Sequence, residues 1–97
     1  MLKTKDKMYL RSLANKLNPV FQIGKDGIND NMIKDIFAYL NKHELMKIKL
    51  LETCPIDKNE ASQIFQRYDI EEVFIIGRTL VIYKESEEDI EHLLWEV

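Results

Sequence analysis

The chain has 97 residues, of which 45% are hydrophobic and 32% are charged. This length predicts one small domain with a modest core, and the composition is that of a globular chain, so a multidomain enzyme is excluded. No apolar run approaches the roughly 20 residues of a membrane span, and the first ten residues lack the apolar stretch of a secretory signal. We therefore predict a cytoplasmic protein with no membrane partner.

The charge is divided unevenly along the chain, although the formal net charge is only -3. Residues 1–51 hold ten basic and five acidic residues, which gives +5, whereas residues 52–97 hold four basic and twelve acidic residues, which gives -8. This polarity is consistent with a surface that has one basic side and attracts a polyanion. The same charges also fit ordinary solvated faces, and composition alone favours this simpler interpretation.

The first half of the chain is predicted to form a helix, a strand and a second helix. Apolar residues at helical spacing predict an amphipathic helix over residues 5–17 with Thr4 as its N-cap. Residues 20–23 form a short apolar run that predicts a buried strand, and a glycine-flanked loop follows it. A second helix is expected after the cap residues 29–31, and it ends near Lys42 and His43.

The next segment alternates between apolar and charged residues. Residues 44–51 place Lys47 and Lys49 on one side, which predicts a half-buried strand with two lysines toward solvent. Asp57 and Glu60 then form an acidic variant of a capping box at the start of a third helix. The apolar stripe of that helix comprises Ala61, Ile64, Phe65 and Tyr68.

Two β-rich runs follow the third helix. Residues 73–76 and 79–83 are separated by Gly77 and Arg78, which predicts an antiparallel hairpin with Gly77 at the first position of a type II′ turn. The predicted order is α-β-α-β-α-β-β, an α/β fold with a mixed four-stranded sheet and helices packed on it.

The last residues form an acidic tail. We divide the chain into a folded domain over residues 1–84 and a tail over residues 85–97, in which Ser86 is a candidate N-cap for a short helix. The apolar residues expected on one side of that helix are Ile90, Leu93, Leu94 and Val97. We leave three roles open for this tail. It docks on the folded domain, binds a ribosomal protein, or folds across the basic face.

The loop Gly24-Lys25-Asp26-Gly27 is the most suggestive local motif. Glycines let a ligand approach the backbone closely, and the amides at the start of the following helix favour an anion such as phosphate. The loop lacks the third glycine of a dinucleotide fingerprint and the Gly-Lys-Ser/Thr ending of a P-loop. It resembles the GxxG element of KH modules, which clamps a single-stranded nucleic-acid backbone. A plain tight turn is the alternative.

Five stretches in register extend this likeness. They are residues 10–14 (LRSLA), 18–20 (NPV), 23–28 (IGKDGI), 43–49 (HELMKIK) and 76–83 (IGRTLVIY). Over residues 2–84 the chain resembles the YhbY-like bacterial proteins, the stand-alone form of the CRM domain of chloroplast RNA splicing and ribosome maturation. The resemblance implies an architecture similar to the C-terminal domain of translation initiation factor three. It also implies RNA binding without catalysis, on ribosomal RNA of large-subunit precursors.

The resemblance also implies which residues contact RNA. They are the loop residues Gly24, Lys25, Asp26 and Gly27, with Lys7, Arg11, Lys34, Lys47, Lys49 and Arg78. Lys7 and Arg11 are four residues apart and therefore share one helical face, although they also fit ordinary solvent-exposed positions. Asp26 and the acidic tail depart from the pattern, because negative charge repels phosphate.

The sequence offers little for catalysis or metal binding. His43 falls at a helix end and His92 in the tail, and the sequence places no carboxylate or thiol beside either to form a dyad. Cys54 has no second thiol, so we expect a small, partly buried hydrophobic residue there. We predict no catalytic residue, metal, cofactor or small-molecule substrate. The rival hypothesis is a protein-interaction module whose tail binds a partner through Ile90, Leu93, Leu94 and Trp95.

Overall fold

The computed structural model describes residues 2–88 and 92–94. Its elements are α1 (Thr4–Ala14), β1 (Phe21–Ile23), α2 (Asp30–His43), β2 (Leu45–Leu50), α3 (Lys58–Arg67), β3 (Glu71–Ile76) and β4 (Thr79–Tyr83). The predicted order of elements is confirmed. No helix in this part of the chain combines the length and the apolar character needed to cross a membrane.

The four strands form one mixed sheet in the order β1-β2-β4-β3. β1 runs parallel to β2, whereas β4 lies between β2 and β3 and is antiparallel to both. The predicted mixed four-stranded sheet is therefore confirmed. Because β4 separates β2 from β3, the segment containing α3 connects two strands that do not pair with each other.

Helices pack on both faces of this sheet. α2 and α3 pack on one face, where Ile48, Leu80 and Ile82 join Ile36 and Phe65 in the larger core. α1 packs on the opposite face, which we call the α1 face. The smaller core there contains Leu10, Ala14, Leu45, Val81 and Tyr83. Alternation along β2 and β4 sends successive side chains to opposite faces of the sheet, whereas β3 has a register irregularity between Glu72 and Phe74.

The first helix differs from its prediction at both ends. Thr4 is its first residue rather than its N-cap, and the cap is Lys3, whose N–H donates to the Asp6 carboxylate at 3.2 Å. The helix ends at Ala14 instead of residue 17. The N–H groups of residues 16 and 17 bond to carbonyls three residues back, at 3.2 and 2.9 Å, so the chain tightens into a turn there.

Side-chain N-caps start the other two helices: Asn29 is the cap among the candidates 29–31, and Asp57 supplies its half of the predicted capping box. Asn29 accepts the Met32 N–H at 2.9 Å, and Asp57 accepts the Glu60 N–H at 2.8 Å. Tyr68 departs from the prediction that it lies on the core stripe, because α3 ends before it and its side chain is 38% exposed. It instead packs edge-on against Phe37, with ring centroids 5.9 Å apart.

Candidate nucleic-acid interface

The Gly24–Gly27 loop projects from the carboxyl end of β1. Lys25 and Asp26 are exposed at its tip, and the Gly27 N–H donates to the Gly24 carbonyl at 3.0 Å, so the backbone makes a tight turn. The loop rests on the segment after β2, where the Leu51 N–H donates to the Ile23 carbonyl at 2.9 Å. These hydrogen bonds hold the backbone of the turn against the sheet, and Lys25 is exposed to solvent from it.

The start of α2 offers fewer free amides than the sequence suggests. Asn29 already occupies the Met32 N–H, so the first-turn amides that remain for an anion are those of Asp30 and Asn31. The carboxylate of Asp30 in the same turn competes with an added anion. Lys25 is thus the main positive group of the loop itself.

The two loop glycines differ in whether the backbone can accept a side chain. Gly27 has a φ of +63°, whereas an added Cβ on Gly24 meets only Leu51 and Thr53 at 3.6 Å, an ordinary contact distance. We expect Gly27→Ala to lower the free energy of unfolding by about 1–2 kcal/mol, because the left-handed region strains an L side chain. Gly24→Ala is the matched control and should change it little. Urea unfolding of both variants checks this, and equal losses would contradict it.

Arg78 lies at the same end of the sheet as the loop. Gly77 adopts a φ of +56° in the turn between β3 and β4, and Arg78 follows it with an exposed side chain. The Leu50 N–H donates to the Arg78 carbonyl at 2.8 Å, which ties the hairpin to the carboxyl end of β2. β1 also ends there, because Ile23 pairs with Leu50.

Lys47 and Lys49 lie on the α1 face of β2. The register aligns Gln22, Lys49, Thr79 and Ile76 across the four strands, and we call this row the open sheet face. Three of its side chains are exposed and Thr79 is half-buried. Lys47 is half-buried in the adjacent row, next to Val81 of β4.

Arg11 joins this surface from α1. Its guanidinium carbon lies 3.7 Å from the centre of the Phe74 ring, a cation–π contact between the helix and β3. Lys7 is exposed one turn earlier on the same helix. Lys34 is exposed on α2, which packs on the other face of the sheet, so the fold separates it from Lys47 and Lys49.

A buried carboxylate at the opposite end of the sheet was missed by the sequence analysis. Glu44 is only 1% exposed and adopts a φ of +63° between α2 and β2. Its carboxylate accepts the N–H groups of Ser86 and Leu93 and contacts Nδ1 of His92, each at 2.7 Å. Glycine or asparagine is usual where a helix ends in a residue of left-handed conformation, so no local sequence pattern predicts a glutamate there.

The hydrogen bonds control the ionisation of Glu44. Burial alone raises the pKa of this carboxyl, but the donors from Ser86, His92 and Leu93 outweigh burial and lower the pKa below its ordinary value. An ionised carboxylate only accepts, so Nδ1 of His92 carries the proton in their contact. No carboxylate was predicted beside either histidine, and the fold brings Glu44 to His92 from 48 residues away.

The described residues of the tail dock away from the glycine loop. Leu93 and Leu94 pack against the core of the α1 face, which counts against the rival hypothesis that they are free to bind a partner. Ser86 caps no helix where the chain is described; its hydroxyl donates to the Asn41 carbonyl and accepts the Glu88 N–H. The residues Ile90, Trp95 and Val97 lie outside the described residues.

His43 and Cys54 both pack against neighbouring side chains. His43 stacks on Tyr39, with ring centroids 4.3 Å apart, and Cys54 is half-buried against the larger core, as predicted. Within residues 2–88 and 92–94, no group of three or more His, Cys, Asp or Glu side chains is placed to hold a metal ion.

The fold and the surface define a class: small α/β domains with a glycine-flanked loop and cations along one side of a mixed sheet. The family model described as the CRS1/YhbY (CRM) domain matches residues 2–84, and the chain belongs to this family. The resemblance noted from the sequence is thus confirmed.

Two relatives and one solved structure are similar to this chain over most of their length. A Bacillus subtilis protein named "Probable RNA-binding protein YqeI" is 46% identical over 90 residues, which cover 92% of this chain and 94% of the relative. An RNA-binding protein from Haemophilus influenzae is 37% identical over 91 residues, covering 90% and 89%. The solution structure of a Staphylococcus aureus protein, described as a candidate RNA-binding protein, matches with a TM-score of 0.77 and 46% identity, covering 97% of this chain and 99% of the other.

Proposed function

We propose that this protein binds RNA without catalysing a reaction, and that it associates in the cytoplasm with ribosomal RNA in precursors of the large ribosomal subunit. The observation that carries the proposal is the placement of charge. Lys25 and Arg78 stand at the carboxyl end of β1 and β2, and Lys47, Lys49 and Arg11 lie on the α1 face. The names of the relatives support RNA as the polyanion.

The described part of the acidic tail lies away from the glycine loop. Glu44 anchors Ser86 and Leu93 where β2 begins, and the Lys84 N–H donates to the Glu44 carbonyl at 3.0 Å where β4 has just ended. The glycine loop lies at the other end of β2. The described part of the tail is therefore held at the far end of the sheet from Lys25 and Arg78.

Phosphate contacts account for most of the expected affinity. If four to six cations each neutralise one phosphate of a single strand, the logarithm of affinity should fall with the logarithm of salt with a slope of roughly -3 to -4. The candidates are Lys7, Arg11, Lys25, Lys34, Lys47, Lys49 and Arg78, with the backbone of Gly24–Gly27. Asp26 at the loop tip lowers the local potential but leaves the surrounding cations in place.

Crosslinking in cells tests the proposal. We expect RNA crosslinked to the tagged protein, once sequenced, to come mainly from large-subunit ribosomal RNA and to include unprocessed precursor ends. Binding of that RNA to the purified protein should weaken with salt at the stated slope. A salt-independent affinity would overturn the phosphate-binding part, and crosslinks spread evenly over cellular RNA would overturn the assembly part.

A further inference from the structure

We propose that the open sheet face binds unpaired RNA bases, so that the ligand is single-stranded RNA rather than duplex. This inference rests on the proposed RNA binding and goes beyond phosphate contact. It assigns a base-stacking role to Arg11 and Phe74 and an apolar contact to Ile76.

The contact between Arg11 and Phe74 provides a stacking platform. The guanidinium carbon lies 3.7 Å from the ring centre, so the aromatic ring covers one side of Arg11. Phe74 is half-buried, whereas Arg11 is exposed. A planar guanidinium stacks on aromatic faces, and a nucleobase offers such a face whatever its identity. The solvent side of Arg11 is therefore positioned to receive a base.

A β-bulge brings Phe74 to this surface. Glu72 pairs with Ile82 on the face of α2 and α3, so regular alternation would send Phe74 there too. The register shifts between Glu72 and Phe74, and Phe74 pairs with Val81 on the α1 face. A bulge that redirects a side chain is typical of functional positions in sheets.

The open sheet face continues the platform with exposed apolar groups. Ile76 is 53% exposed and lies two residues beyond Phe74, about 7 Å along β3 on the same face. Lys49 lies two strands away in the same row, at roughly 10 Å, which leaves room for a base between a cation and an apolar side chain. Val20, 44% exposed, precedes β1 beside Lys47.

The composition of this surface favours bases over phosphates alone. The row contains one cation, two neutral polar side chains and one isoleucine, and it carries no carboxylate. Paired bases in a duplex hide their faces inside the helix, whereas unpaired bases expose them for stacking. The stacking face of Arg11 and the apolar side chain of Ile76 can therefore contact base faces only in unpaired RNA.

The charge-conserving variant Arg11→Lys tests the platform. We measure affinity for a short labelled single-stranded RNA and for a hairpin duplex of the same length, each across a salt series. The variant should bind the single strand about tenfold more weakly, because one stacked base is lost, with the same salt slope because the charge is kept. Duplex binding should not change. Arg67→Lys, an exposed residue at the end of α3 on the other face, is the matched control.

A second variant distinguishes the loss of an RNA contact from the loss of folding. Ile76→Ser changes a side chain that is half in solvent, so the melting temperature should change little while single-strand affinity falls several-fold. Three results would overturn the proposed stacking platform. They are unchanged single-strand affinity in both variants, equal losses of affinity for single strand and duplex, and a wild-type preference for duplex. Failure of the wild-type protein to bind any RNA would instead overturn the proposed function.

Discussion

Replacing Glu44 with alanine should lower the free energy of unfolding by about 2–4 kcal/mol, a large share of the stability of a small domain. The change removes the acceptor of two backbone N–H groups and of His92 while the chain still holds those donors nearby. Urea unfolding measures the loss. Glu52→Ala, at an exposed position, is the control and should stay within about 0.5 kcal/mol of wild type.

The ionisation of Glu44 gives a second readout of the same contact. Its pKa is lower in the folded protein than in the unfolded chain, so its stabilisation is complete above the ordinary pKa near 4.5 and is lost as the pH falls through the lower, folded value. The variant Glu44→Gln should lose this part of the acid sensitivity. Equal acid sensitivity of the two proteins, or an alanine variant as stable as Glu52→Ala, would show that the tail contacts do not hold the carboxylate.

Removing both lysines of β2 should have the largest effect on RNA binding. Lys47→Ala with Lys49→Ala removes two candidate phosphate contacts. The salt slope should become less steep by about 1.4, and single-strand affinity should fall by about 25-fold at 0.1 M salt. Fluorescence anisotropy with a labelled single strand measures both quantities. Thermal unfolding should show at most a modest loss, from the half-buried stem of Lys47.

The matched control has the same change in net charge. Lys42→Ala with Arg67→Ala removes two exposed cations from the ends of α2 and α3, helices that pack on the other face of the sheet. This variant should keep both the affinity and the slope of the wild type. If both double variants lose affinity equally, net charge and not the α1 face governs binding.

Elements set by local chemistry could be predicted from the sequence. Asn29 and Asp57 fixed the starts of α2 and α3, because a side-chain cap acts within three residues. Thr79–Tyr83 was predicted with its correct bounds, since Gly77 supplies the positive φ of the turn before it. The misplaced end of α1 reflects a change from α-helical to tighter hydrogen bonds that hydrophobic spacing does not encode.

Features set by distant contacts could not be predicted in the same way. The lysines of β2 were identified by alternation, but the strand order that places them in rows with Thr79 and Phe74 depends on pairings far apart in sequence. The bulge that turns Phe74 to the α1 face leaves no mark in the hydrophobic pattern. Glu44 received no role because its partners lie more than 40 residues away.

The central position of β4 has a consequence for biosynthesis. β1, β2 and β3 all precede it, yet β2 and β3 meet only through it, so a nascent chain that has emerged only as far as residue 76 lacks the strand that joins them. Closure of the sheet must wait until residues 79–83 leave the ribosome. The nascent chain therefore gains its native tertiary structure late, and its apolar strands stay open to chaperones until that moment.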